Sequence, residues 1–360
     1  MRKAFDTIDH ELLLKKLQNL GIRGITNDWL NSYLNDRKQF VSLNNTSSTL
    51  LQVLCGVPQG SVLGPLLFIL YINDICNVSK LLRLILFADD TNLFRSSHNL
   101  EQLCSEVSQE LSKLDTWFAA NKLSLNVSKT NFIVFCGKKS VKDIKITINT
   151  QEIERVYSTK FLGVTIDANL TWKEHISNIR AKLSKCLAIL FKSSKLLDIN
   201  SLRSLYCSLF LPYINYCSEV RGTTYKNSIK CISILQKKAI RIICNSERNA
   251  HTSCLFHQLK LLKFDDLVDL KCALLMYRIR KNDIPINLAK HFAQSWENKS
   301  YSLRNKEKFK INYIRTTQRS HSLSSYGVKL YNSLPESLTS LKHKHIFKRK
   351  YTVSLINMYT

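Results

Sequence analysis

Apolar and polar positions follow more than one period along this chain, and the change of period divides it. Residues 10–20, HELLLKKLQNL, repeat apolar side chains every three to four positions, which predicts an amphipathic helix stopped by Gly21, and residues 27–34 predict a second. Residues 38–44 and 50–54 read as strands that pair around the polar stretch 45–48. They lead into the turn-rich run Gly56-Val57-Pro58-Gln59-Gly60-Ser61. Residues 65–78 are apolar, too short to span a bilayer, and read as a buried helix. Residues 84–88 and 91–94 flank Asp89-Asp90 as a tight hairpin. Residues 100–120 have helical periodicity, and 131–135, 144–148 and 161–166 read as strands, so the pattern to this point is mixed α/β. From Trp172 onward apolar residues recur at helical spacing, through 196, over 201–211 and over 229–243. The stretch from about Trp296 is basic, polar and less periodic, and part of it is expected to be loosely ordered.

Composition sharpens this picture. With 360 residues, 44% of them hydrophobic, the chain can bury enough surface for two or three units. No run reaches the length of a spanning helix, and Met1 is followed by charged residues, so an intracellular protein of cytoplasm or nucleus is expected and no membrane is called as a partner. The 11 cysteines are scattered without a C-x-x-C pair, which suits reduced thiols, most of them serving as small buried hydrophobes. Cys254-x-x-His257 is too small a pair for a metal site and reads as packing. The net charge of +26 is uneven, +3 over residues 1–140 and +23 over 141–360. A polyanion is the natural partner of such a field, an anionic membrane the weaker alternative.

Three strings carry candidate chemistry. Asp89-Asp90, within Phe87-Ala88-Asp89-Asp90, places adjacent acids at a hairpin tip, where a divalent cation would offset their repulsion, although a solvated turn has the same appearance. The loop Gly56-Val57-Pro58-Gln59-Gly60-Ser61-Val62-Leu63-Gly64-Pro65 precedes a helix and can hold a nucleotide or template close, or can be a structural turn. Before both lies Lys3-Ala4-Phe5-Asp6-Thr7-Ile8-Asp9-His10. In this order the three resemble the palm motifs of non-LTR, jockey-like retrotransposon reverse transcriptases. Asn121-Lys122-Leu123-Ser124-Leu125-Asn126-Val127-Ser128-Lys129-Thr130 resembles the fourth motif. Lys160-Phe161-Leu162-Gly163-Val164, with Asp167 and Leu170-Thr171-Trp172, resembles the primer-grip region. The likeness runs on through Leu211-Pro212-Tyr213-Ile214-Asn215-Tyr216-Cys217 and Asn332-Ser333-Leu334-Pro335.

The resemblance implies the α/β palm of a right-hand polymerase over residues 1–140, truncated and with its fingers missing. A primer-grip hairpin and connection would follow over 141–170, a mainly α-helical thumb over 171–245 and a basic helical C-terminal extension over 246–360. It implies RNA-directed DNA polymerase activity with Mg²⁺ or Mn²⁺, on an RNA template, a DNA primer and deoxynucleoside triphosphates. Asp89 would be a metal ligand and Asp90 its acidic neighbour. Gln59 and Gly60 would line the incoming nucleotide and template base. Phe5 would stand under the sugar, or serve as an ordinary core residue. Lys129 would lie near the leaving phosphates, though a surface lysine looks the same. The family also has a metal-binding aspartate whose position, counted back from Phe5, falls before Met1. Asp6 lies roughly 20 Å along an extended strand from that position and is not expected to replace it. The expectation is therefore a chain that is inactive or nearly so, with a non-catalytic RNA- or DNA-binding remnant as the alternative. Arg221 and Tyr331 stand where many relatives have tryptophan.

Overall fold

In the computed structural model, which describes residues 4–136, 144–290, 292 and 308–360, Asp9 starts the first helix. Its Oδ1 accepts the Leu12 N–H at 2.9 Å, satisfying one of the free amides at the start of His10–Asn19. That helix buries Leu13 and Leu17, and the chain turns away through Gly21 at φ 95° into the helix Ile25–Leu34. The structure divides into two units, residues 1–157 and 158–360.

In the first unit, Leu13, Leu17, Leu34, Phe68, Tyr71, Ile75, Leu114 and Phe118 form the centre of one apolar core. The helices Leu63–Ile72 and Leu100–Ala120 supply its middle. The reading of residues 65–78 as a buried helix is corrected in two respects. The α-helix ends at Ile72 and continues as a 3₁₀ turn, Asn73–Asn77, and one side stays open, with Leu66 and Ile69 exposed. Between the second and third helices, residues 38–54 form not one strand pair but two successive ladders. Lys38–Gln39 pairs with Leu51–Gln52 and Ser42–Leu43 with Thr46–Ser47. The turn falls at Asn44 and Asn45, both at positive φ (47° and 63°), a two-residue loop that asparagine tolerates. All strand pairing among the described residues is two by two.

The second unit opens with a hairpin, Ser158–Phe161 paired with Val164–Asp167. The single strand expected over 161–166 is broken because Leu162 and Gly163 take positive φ (44° and 82°) and reverse the chain. Asp167 then organises the start of the next helix, accepting the Thr171 N–H at 2.9 Å and the Trp172 N–H at 2.7 Å. That helix, Lys173–Ser193, packs against Lys226–Ile243 through Ile176, Ile179, Leu183 and Leu190 on one side and Ile229, Ile232 and Ile240 on the other. Gln236 lies inside this core and is fully used. Its Nε2 donates to Tyr206 Oη and to the Leu262 carbonyl, each at 2.9 Å, and its Oε1 accepts the Phe264 N–H at 2.8 Å.

Of the stretch from about residue 296, part of which is expected to be loosely ordered, the residues up to 307 lie outside the described residues, 308–316 carry no helix or strand, and helices take up most of 317–360. Helices Leu323–Ser333 and Lys344–Asn357 share a core with Met276 and Tyr277 of the helix Phe264–Arg280. The Tyr277 and Phe347 rings stack at 4.7 Å, and the Asn332 side chain ties both backbone groups of Phe309. The polar composition there is spread over outward faces, so a thin apolar stripe suffices to anchor each helix. The cysteines also differ from expectation. All 11 are free thiols, but only Cys186 and Cys272 are buried, whereas Cys55, Cys76, Cys136 and Cys254 are exposed.

Two features of the second unit make stability testable. Arg221 is completely buried. Its Nη2 donates to the Tyr213 and Ile214 carbonyls, but Nε and Nη1 have no partner, and burial pushes the guanidinium pKa down to about 10. A charge buried in this way is costly. Replacing Arg221 with Met should therefore raise the free energy of unfolding, by roughly 1–3 kcal/mol, in a urea titration. Asp269 is held by the Tyr326 hydroxyl and Asp266 by the Tyr359 hydroxyl. Burial raises both carboxyl pKa values above the usual range. A raised carboxyl pKa means that the folded state keeps its proton after the unfolded chain has lost it. These groups therefore favour folding fully below the unfolded carboxylate pKa, and that contribution is lost as pH rises through the folded value. Thermal melts of Asp269→Asn against the parent should show the variant gaining relative stability as pH rises from the ordinary carboxylate range through the raised folded pKa of Asp269.

Candidate functional site

The first two strings, about fifty residues apart in sequence, are stitched together by backbone. The Gly56 N–H donates to the Ile8 carbonyl at 2.7 Å and the Val57 N–H to the Phe5 carbonyl at 2.9 Å. His10 Nε2 meets the Gly56 carbonyl at 2.7 Å, which fixes that nitrogen as the protonated one. Gly56 has φ 88°, and a β-carbon there would lie 2.9 Å from the Asp6 Cα and carbonyl oxygen, so only glycine allows this approach. Asp6 faces the loop as well, its Oδ1 accepting from Gln59 Nε2 at 2.7 Å. Ser61 closes the turn by donating to the Pro58 carbonyl at 2.7 Å while accepting the Gly64 N–H at 2.9 Å. Phe5 is half-buried, its ring 4.6 Å from that of Phe68. Phe5, Gln59 and Gly60 are thus brought onto one scaffold, with Gln59 aimed by Asp6.

The fourth string is attached to the same scaffold at its start. Lys122 Nζ lies 2.5 Å from Asp9 Oδ2, and the Tyr71 hydroxyl donates to the Asn121 carbonyl at 2.7 Å. Burial acts to raise the Asp9 pKa. It is outweighed by the Lys122 hydrogen bond, the Leu12 N–H and the nearby positive charge, so the net shift is downward. Asp9 therefore both caps a helix and anchors the fourth string. Lys129 stands at the end of a 3₁₀ turn, Val127–Lys129, exposed, and no side-chain hydrogen bond or ion pair joins it to Gln59 or to the acidic pair.

Asp89 and Asp90 occupy the closing end of the hairpin Arg83–Phe87 with Asp90–Phe94. The loop itself is Ala88-Asp89, with Ala88 at φ 50°, while Asp90 is the first residue of the returning strand, paired with Phe87. Both carboxylates are exposed. They form a single acidic pair on a rigid turn, which can present oxygen ligands to a hard cation that also takes water or phosphate oxygens. Among the described residues, however, no group of three or more His, Cys, Asp or Glu side chains converges to hold a metal ion. Asp6 is committed to Gln59, and Asp9 to Lys122 and Leu12. The residues present thus supply part of a donor set and do not complete a site for two bridged ions.

Sequence patterns had marked Gln59, Gly60 and the acidic pair, but not the residues that position them: Asp6 on Gln59, His10 on Gly56, Lys122 on Asp9. The signal for Asp9 was available, since an acid directly before an apolar-periodic run is an N-cap signature. Nothing local foretold a partner as far along the chain as Lys122.

Comparison with known proteins places these motifs. Residues 1–166 match the family described as reverse transcriptase (RNA-dependent DNA polymerase). Over 279 residues the chain is 30% identical to a probable RNA-directed DNA polymerase from transposon X-element of Drosophila melanogaster, covering 74% of this chain and 30% of that protein. It is 27% identical over 277 residues to the RNA-directed DNA polymerase from mobile element jockey of the same organism, with 74% and 30% covered. A probable RNA-directed DNA polymerase from transposon BS, again of Drosophila melanogaster, is 27% identical over 300 residues, with 78% and 32% covered. The chain thus spans about 30% of the length of these relatives. The family match implies a polymerase palm-type fold for the matched residues, in keeping with the helices and hairpins of the first unit. By the family match and these relatives together, the chain belongs to the reverse transcriptases, on their jockey-like non-LTR retrotransposon branch.

Proposed function

We propose that this chain carries the palm and following thumb of an RNA-directed DNA polymerase that adds deoxynucleoside triphosphates to a DNA primer on an RNA template. The palm would occupy residues 1–140, the primer-grip hairpin 141–170, the helical thumb 171–245 and the basic extension 246–360. The observation that carries this reading is the arrangement of the acidic hairpin end, Asp89-Asp90, on the same unit as a Gly56–Gly64 loop held against the first string. In this reading Asp89 is the metal ligand and Asp90 its acidic neighbour. Mg²⁺ or Mn²⁺, when bound, supplies charge neutralisation at the reacting phosphates. Gln59, oriented by Asp6, and Gly60, whose α-carbon has open space before it, line the incoming nucleotide and template base. Phe5, braced by Phe68, lies under the sugar, and Lys129 offsets phosphate charge.

The same geometry supports low activity in the isolated chain. With no third carboxylate joining Asp89 and Asp90 among the described residues, much of the charge stabilisation of the transition state is lacking. A deficit of several kcal/mol corresponds to a thousandfold or more in rate, on the order of the effect expected for one missing metal ligand. The uneven charge, +23 over residues 141–360, favours a second reading for the isolated chain, a non-catalytic RNA- or DNA-binding remnant. Among the described residues no helix is long and apolar enough to cross a membrane.

Primer extension separates these readings. The purified chain should give no extension above an Asp89→Asn control with either Mg²⁺ or Mn²⁺. Residues 1–166 grafted over the matching segment of the jockey polymerase should extend the primer, and Asp89→Asn in that graft should lower the rate about a thousandfold. Extension by the isolated chain would refute its inactivity. Undiminished extension by the substituted graft would refute the role given to Asp89.

A further inference from the structure

The helix Lys344–Asn357 is anchored by Phe347, Tyr351, Leu355 and Ile356, which face the core. Its outward side is different. Arg349, Lys350, Val353, Ser354, Asn357 and Met358 line a concavity of about 680 Å³. Their spacing of i, i+4 and i+8 from both Arg349 and Lys350 sets the cations at one end of the row and Asn357 and Met358 at the other. Val353 is 50% exposed and Met358 72% exposed, so the row presents two apolar side chains beyond the cations, one at its middle and one at its far end.

The electrostatic setting is one-sided. From Ser337 to Thr360 the sequence contains no Asp or Glu, but contains Lys342, Lys344, Lys348, Arg349 and Lys350. None of these five has a carboxylate partner among the described residues. The nearest acids on the helix packed beneath, Asp266 and Asp269, face its buried side and are engaged by the Tyr359 and Tyr326 hydroxyls. Like charges gathered within nine residues, Lys342 to Lys350, repel one another. An anion with repeated charges relieves that repulsion.

We propose that this outward row is a binding site for a single strand of nucleic acid. Arg349 and Lys350 take successive phosphates, Val353 and Met358 give the bases an apolar surface, and Ser354 and Asn357 offer hydrogen bonds to sugar or base edges. A duplex hides its bases and could use only the cations. A membrane surface fits less well, since the apolar face of this helix is already spent on the core and only two apolar side chains are left outside. This deepens the nucleic-acid-binding reading of the isolated chain and is independent of whether the chain polymerises.

Fluorescence anisotropy of the full chain tests it. The probes are a labelled oligo-U RNA, the matching oligo-dT DNA, a duplex of the same length, and vesicles rich in phosphatidylserine. Arg349→Gln with Lys350→Gln should lower the slope of log affinity against log salt for either single strand by about 1.4, from two phosphate contacts. Removing two exposed charges elsewhere, Lys15→Gln with Lys38→Gln, should leave that slope unchanged. Val353→Ser with Met358→Ser should weaken single-strand binding about three- to tenfold at an unchanged salt slope, with duplex binding unaffected. Circular dichroism melts that match the parent would show that each variant is folded. RNA binding tighter than DNA binding would assign the sugar contact to a 2′-hydroxyl, and equal binding would assign it to the phosphates alone; either supports the site. An unchanged slope in the Arg349/Lys350 variant, an equal loss in the Lys15/Lys38 control, or binding to vesicles in preference to RNA would overturn it. Because no catalysis is read, failure here and failure of the polymerase reading are distinguishable.

Discussion

The close approach of Gly56 to the backbone of Asp6 is the constraint on which the first unit depends. With a β-carbon position 2.9 Å from the neighbouring chain, the contact exists only because residue 56 is glycine, and at φ 88° it would be strained for any other residue. Through it run the hydrogen bonds from Gly56 to Ile8, from Val57 to Phe5 and between His10 and Gly56. These bring Asp6 within reach of Gln59. Without that approach, the Gly56–Gly64 loop would have no fixed relation to the first helix, and Gln59 would be an ordinary exposed amide.

The hydrophobic pattern made the larger elements legible. The helices His10–Asn19, Leu100–Ala120 and Lys226–Ile243 follow from apolar spacing, and the hairpin carrying Asp89 and Asp90 from two apolar runs around a short polar break. What was not legible was local reversal. Asn44-Asn45 and Leu162-Gly163 turn the chain inside stretches that read as continuous or simply polar. A leucine at positive φ gives no local cue, because the Tyr216 hydroxyl that donates to the Leu162 carbonyl lies far along the sequence. The last helices, expected only as part of a basic helical extension, could not be delimited for a related reason. Their apolar stripe is narrow, and the polar and basic residues around it conceal it until Tyr277 and Phe347 are seen to stack.

At the candidate site the same limit applies in sharper form. Residue type and order mark Gln59, Gly60, Asp89 and Asp90 as candidates, but the roles of Asp6 and Asp9 depend on partners outside their own string. Both are acids of the first string, and nothing within that string shows which partner holds either of them. In the structure one aims an amide and the other caps a helix while holding Lys122. A carboxylate whose lone pairs are already directed to fixed donors gives up those bonds if it turns toward a cation, and leaves the donors unsatisfied.

Polar groups in the second unit show how differently the fold treats buried charge and buried amide. Gln236 sits deeper in its core than most side chains of its kind, yet three hydrogen bonds leave it neutral and satisfied, joining Tyr206, Leu262 and Phe264 at one point. Arg221, equally buried, holds two carbonyls but keeps a charge and two unpartnered nitrogens. Its field contributes, after burial itself, to pushing the pKa of the buried His175 down to about 4, so that imidazole stays neutral and can accept the Thr165 N–H. The hairpin and the long helix that follows it are therefore joined by a histidine whose neutral form the buried arginine helps to maintain. This gives the arginine a structural consequence even where an apolar side chain would fill the space at lower cost.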